Sequence, residues 1–240
     1  MKKRNAYCAE GKEKSNVNFK ETNREIRTGV IRYCLKGEEL ELHPFGSIFW
    51  INKKCLLVSD THFGKVSHFR KNGLAVPSAA IQQNWERLTA LLDDYKPKEL
   101  IFLGDLFHSS HNNEWETFQL VSDTFYEVKL MLIEGNHDIL APHLYAKANI
   151  EVQETLIRGP FVFSHHPIDS EAYYNIHGHI HPAVRLKGSG RQNMKVPCFY
   201  FGQEYGIMPA FGNFTGTAII PVRKGDHVFA LTPSSVLKLS

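Results

Sequence analysis

The chain has 240 residues, 42% of them hydrophobic and 22% charged, with a net charge of +3. That is enough for one large domain with a buried core and too little for two. No apolar run nears the roughly 18 residues of a membrane span, and the start MKKRNAYCAEGKEKSN has no apolar region of the kind a secretory signal needs. A cytoplasmic protein that does not enter a membrane is expected.

The charge is unevenly spread. Residues 1–36 hold ten Lys and Arg against four Glu, and the remainder holds 18 basic residues against 21 acidic ones. A protein that coats nucleic acid is basic throughout. The balance reads instead as a basic, solvated leader over 1–36 ahead of one domain over 37–240. Cys8, Cys34, Cys55 and Cys198 form no CxxC pair, which argues against a thiolate zinc site. Cys55 and Cys198 lie in apolar stretches and read as small buried hydrophobes.

Regular structure is expected from about residue 40. Short apolar runs stop abruptly at polar residues: CLLVSD (55–60), ELIFLGD (99–105), KLMLIEGN (129–136), PFVFSH (160–165) and YYNIHGH (173–179). Runs of this length read as strands buried on both faces. Between the first two, residues 77–95 place Ile81, Trp85, Leu88, Leu91 and Leu92 three or four apart, the spacing of a one-sided helix. Pro77 and Ser78 suit its start, and Pro97 follows its end. Residues 114–127 repeat the pattern more loosely. Strand, helix, strand, helix, strand is the order of an α/β sheet. After residue 150 only short strands punctuated by Gly and Pro are expected, forming a second, largely antiparallel sheet. The predicted fold is thus α/β, two packed sheets flanked by helices.

The polar residues that end these runs are of one chemical kind. SDTH supplies Asp60 and His62, GDLFH supplies Asp105, and GNHD supplies Asn136, His137 and Asp138. SHHP supplies His165, and GHIH supplies His179 and His181. Any one alone is an ordinary strand end; five together are not. Functional groups of open α/β sheets gather beyond the carboxyl ends of strands. Two carboxylates, one amide oxygen and four imidazoles suit manganese, iron or zinc rather than calcium. Seven donors are too many for one tetrahedral zinc and suit two cations sharing a carboxylate. His177, before the glycine, reads as a packed or hydrogen-bonded histidine.

At these residues the chain resembles the calcineurin-like metallophosphoesterases, whose pattern is D-x-H, G-D, G-N-H-[DE], a lone H, then G-H-x-H. All five blocks occur in order between residues 60 and 181. The resemblance implies a metallophosphoesterase sandwich of the four-layer α+β type, with two mixed sheets. It implies two divalent cations, manganese first, with iron or zinc as alternatives. Asp60, His62 and His181 would hold one, Asn136, His165 and His179 the other, and Asp105 would bridge. Within SHHP the choice lies between His165 and His166, and falls on His165, directly after the strand. The resemblance further implies hydroxide between the cations attacking phosphorus in line, with no covalent intermediate. His137 would stand beside the phosphate as acid or charge stabiliser, its ring held by Asp138. No GxSxG elbow supports a serine hydrolase.

A narrower similarity rests on DTHFGKVSHFRKNGLAVP (60–77), GDLFHS (104–109), GHIHPAVRL with VPCF, and PAFGNFTG (209–216). These resemble the ligase-associated DNA damage response endonuclease (PdeM) family. It implies a phosphodiesterase or endonuclease acting on DNA, among ligase- and helicase-containing repair proteins. Lys65, Arg70, Lys71, Arg185, Lys187, Arg191 and Lys195 flank the first and last motifs and are candidates for phosphate contacts. Lys65, Arg70, His108 and Arg185 are the leading substrate-binding candidates. Phe63, Phe69, Phe107 and Phe211 are either core or bases' stacking partners. A phosphoesterase for a small nucleotide or nucleotide sugar shares the same metals, and a non-catalytic metal-binding scaffold is the reading from another class.

Overall fold

The computed structural model describes residues 27–65, 79–108, 114–187, 193–213 and 215–240. Strands β1 (Ile31–Leu35), β2 (Glu38–Leu42), β3 (Ile48–Trp50) and β4 (Cys55–Val58) form an antiparallel meander. From β4 the first sheet turns parallel through β5 (Glu99–Leu103), β6 (Lys129–Ile133) and β7 (Ile150–Gln153). Composition sets residues 1–36 apart, yet β1 lies within that stretch and is paired along its whole length with β2. The sheet therefore begins inside the basic segment. Arg27 is already anchored there, donating to Asp94 Oδ2 at 2.6 Å.

The second sheet holds β8 (Thr155–Arg158), β9 (Phe161–Ser164), β10 (Tyr174–His177), β11 (Pro182–Lys187), β12 (Asn193–Phe201), β13 (Tyr205–Ile207) and β14 (Ala218–Ile219). Two further strands, β15 (His227–Leu231) and β16 (Val236–Lys238), extend it from β12. Most of its pairs are antiparallel, as expected, but β9, β10 and β13 run parallel at its centre, and β14 runs parallel to β11 at one edge. That departure has a consequence for chemistry, because β9 and β10 thereby end at the same rim.

Period-two alternation divides the side chains of the first sheet between two cores. Leu56, Val58, Leu100, Phe102, Leu130 and Leu132 face α1 (Ala79–Tyr95), α2 (Glu114–Thr124) and α3 (Pro142–Lys147). Trp85, Leu88, Leu91 and Leu92 of α1 meet them, with Trp115 and Phe118 of α2. On the other face Leu57, Ile101, Leu103, Met131 and Ile133 pack against Phe161, Phe163, Ile176, Phe199 and Phe201 of the second sheet. Burial on both faces is why these strands read as unbroken apolar runs. Pro77 and Ser78, expected at the start of the first helix, lie outside the described residues.

Candidate metal centre

Parallel pairing brings strand ends level. In the first sheet Val58 pairs with Phe102 and Leu103 with Ile133, and in the second His177 pairs with Ser164. Asp60, Asp105, Asn136, His165 and His179 leave from those ends. Beyond β4 and β5 the two chains stay zipped. The N–H groups of Asp60, His62 and Phe63 donate to the carbonyls of Gly104, Asp105 and Leu106, and that of His108 donates to Phe63.

The donor atoms converge. His181 Nε2 lies 3.1 Å from Asp60 Oδ1, and Asp60, His62 and His181 each offer an atom within 4.8 Å of the others. Asp105 turns Oδ2 toward His62 Nε2 at 3.6 Å and Oδ1 toward His165 Nε2 at 3.5 Å. His165 Nε2 is also 3.2 Å from Asn136 Oδ1 and 3.2 Å from His179 Nδ1.

Backbone strain marks the same residues. Nine non-glycine residues among those described have positive φ, and five of them are Asp60, His62, Asp105, His179 and His181. A left-handed backbone is disfavoured for such residues and persists where surrounding structure enforces it, most often at functional sites. Close packing contributes to that enforcement. A side chain at Gly178 would collide with Ser59 Oγ and Asp60 Oδ2, and one at Gly104 would collide with the His165 ring.

The electrostatics fit a cation. His165 Nδ1 lies 2.9 Å from the Leu103 carbonyl, a contact that requires its proton there, so the neutral ring presents a lone pair at Nε2. His181 Nδ1 meets the Gly216 carbonyl at 2.9 Å and is polarised the same way. Lone pairs of His165, Asn136 and Asp105 therefore face one another, an arrangement that repels itself unless positive charge lies between them. Burial pushes the His62 imidazole down to about 3 and keeps it in the ligating form, with its buried Nδ1 lacking a hydrogen-bond partner among the described residues. Burial by itself would raise the Asp60 carboxyl, but His181, Ser59 and His165 outweigh it and hold it ionised.

A family model of calcineurin-like phosphoesterases matches residues 53–210, which span every one of these donors. The chain belongs to the calcineurin-like phosphoesterase family. It is a metal-dependent phosphoester hydrolase, and the oxygen and nitrogen donors suit the divalent cations such an enzyme uses. Among solved structures, Pseudomonas putida nuclease MPE is 27% identical, with a TM-score of 0.75 over 88% of this chain and 100% of that one. Yfce, a phosphoesterase from E. coli, is 12% identical, with a TM-score of 0.41 over 77% of this chain and 97% of that one. No curated protein is matched by sequence.

Around the donors, this phosphoesterase departs from sequence expectation in several places. Asp138 does not hold the His137 ring. Its Oδ2 accepts from the N–H groups of Asp105 and Gly135, and its Oδ1 from that of Leu106, each at 2.8 Å. It is a strut tying two site loops together. Burial nevertheless pushes its carboxyl up to about 6. His137 is fixed through its backbone N–H, which donates to Asp105 Oδ1 at 2.9 Å, and its ring stands 5.5 Å from those of His62 and His108. His108 thus belongs to the same cluster. Lys65 lies close enough to Asp105 and Asp60 for their charge to act on it.

Other candidates fall elsewhere. Arg185 is exposed on β11, opposite Lys195. Arg70, Lys71, Phe69 and Arg191 lie outside the described residues. Phe63, Phe107 and Phe211 are buried in the helix-side core, Phe63 stacked on Trp85 at 3.6 Å, so none of the three is free to stack on a base. His177 is buried behind the site with Nδ1 on the Gly178 carbonyl at 2.9 Å. One contributor went unread in the sequence: Ser59 donates to Asp60 Oδ2 at 2.5 Å. His166, the alternative within SHHP, also lies at the site, its ring 4.2 Å from that of His179 and within ligand reach of His165 and His179.

Proposed function

We propose that this enzyme is a phosphodiesterase that cleaves DNA as an endonuclease in repair, using two divalent cations, manganese foremost. Asp60, His62 and His181 hold one cation, Asn136, His165 and His179 the other, and Asp105 lies between them. The observation that carries the reading is Asp105, whose two oxygens face histidines of opposite groups at 3.6 and 3.5 Å. When bound, such a pair of cations activates water near neutral pH and neutralises charge on the phosphoryl group.

The chain's own residues supply the rest. Leu103 and Gly216 carbonyls orient the imidazoles of His165 and His181. His137 is positioned by Asp105 beside the two groups, where its ring can protonate a leaving oxygen or meet developing charge. The likeness to the Pseudomonas putida nuclease over nearly the whole chain supports a nucleic-acid substrate.

Purified protein with manganese is assayed on bis-p-nitrophenyl phosphate, p-nitrophenyl phosphate and single-stranded DNA. The diester and DNA are expected to turn over far faster than the monoester. Turnover of the monoester alone sinks the diesterase reading. Cleavage of bis-p-nitrophenyl phosphate without cleavage of DNA favours the small-nucleotide alternative, and metal binding without any turnover favours the scaffold.

A further inference from the structure

A cavity of about 350 Å³ adjoins the metal centre, and the two share a wall. That wall is made by Phe211, Gly212, Asn213, Thr215 and Thr217. The N–H groups of Phe211 and Gly212 donate to the carbonyls of Ser59 and Asp60, and the Gly216 carbonyl meets His181 Nδ1. The far side is apolar, with Phe45, Pro182, Pro197 and Leu231. Among the described residues no carboxylate lines the cavity, and Arg87 of α1 reaches into it.

Arg87 is placed to receive an anion. It donates to Asn213 Oδ1 at 2.9 Å and lies over the Phe45 ring at 5.2 Å, which leaves most of its donor fork unused. It pairs with no carboxylate among the described residues, and burial acts on it unopposed, lowering its pKa. Outside the cavity the cationic character continues. Arg185 and Lys195 are direct cross-strand partners and so share a face, the one that carries Pro197 two residues further on. Lys195 also bonds the carbonyl of Thr217, another lining residue. Like charges placed opposite one another destabilise a sheet unless something negative lies across them. An apolar wall, one unneutralised guanidinium and a cationic lip match a nucleotide: apolar body, phosphate, and a chain of further phosphates.

We propose that this cavity is the subsite for a nucleotide adjoining the scissile phosphodiester in single-stranded DNA. Arg87 takes its phosphate, Phe45 and the prolines take its sugar and base, and Arg185 with Lys195 takes the phosphates that follow. The proposal rests on the DNA phosphodiesterase reading and names how that substrate is held.

A fluorescein-labelled oligothymidylate is titrated with the full chain in chelator, so that binding is read without cutting. Arg87→Met and Thr217→Trp, which fills the cavity, each weaken binding by about tenfold or more. Lys195→Glu flattens the salt dependence. With manganese, the same variants lower the ratio of kcat/KM on the oligonucleotide to that on bis-p-nitrophenyl phosphate, whereas a general disturbance of the metal centre lowers both alike. Unchanged affinity in both Arg87→Met and Thr217→Trp, or no binding by the native chain, overturns the subsite whether or not DNA is cut. Affinity lost in the variants with no cutting by the native chain leaves the subsite standing and overturns the DNA phosphodiesterase reading.

Discussion

Asp105 and His137 touch one another yet have separable tasks. Asp105 directs a carboxylate oxygen at each donor group, whereas His137 contacts it only through a backbone N–H. Asp105→Ala is therefore expected to lose bound manganese and all activity, and His137→Ala to retain manganese while losing about 10²–10⁴-fold in rate. Metal content by mass spectrometry beside kcat separates the two, and equal metal loss in both would refute the division. His177 carries a different expectation. Burial pushes its imidazole from 6.5 down to about 4, so the unfolded chain takes up a proton that the native ring refuses. Its contribution is fully present above pH 6.5 and is lost as pH falls toward 4, about 3 kcal/mol in all. Urea unfolding of metal-free protein across that range shows the fall, and His177→Leu flattens it. A fall that is equally steep in the variant would place the effect in other groups, His62 foremost.

Loops here are held by single side chains. Asp138 satisfies three backbone N–H groups from the loops after β5 and β6, and it is buried. Asp138→Ala leaves those donors unpaired and costs about 3 kcal/mol or more of stability, with activity lost because Asp105 and Asn136 no longer keep their spacing. Full activity together with native urea stability would exclude the strut. The motif GNHD placed this carboxylate at the site, but residues adjacent in sequence invited pairing with His137, and its actual partners 32 and 33 positions away become neighbours only when two loops meet. The helix over Pro142–Lys147 was likewise illegible, because at six residues it is too short for its period to repeat.

Two sheets pressed face to face create a rim to which both contribute. Asp60, Asp105 and Asn136 come from one sheet, and His165, His179 and His181 from the other, so cations held among them would join the halves of the molecule. Cations that bind only the folded state stabilise it by mass action, about 2.7 kcal/mol at one hundred times Kd. Manganese is expected to raise Tm by several degrees over chelator-treated protein, at about 2–4 °C per kcal/mol for a chain of this size. Asp105→Ala should abolish the shift. A manganese-dependent rise that survives in that variant would mean binding elsewhere.

The five motifs could be read without coordinates because each lies within a few residues of its strand, and strand ends announce themselves where an apolar run meets Asp, Asn or His. The two-faced burial of β4, β5 and β6 was legible for the same local reason. The parallel centre of the second sheet was not, since pairing direction depends on contacts distant in sequence. Nor was the cavity beside Arg87, whose walls come from an antiparallel turn, a helix and four later segments. Local chemistry names the donors; long-range packing sets their distances and assigns their partners.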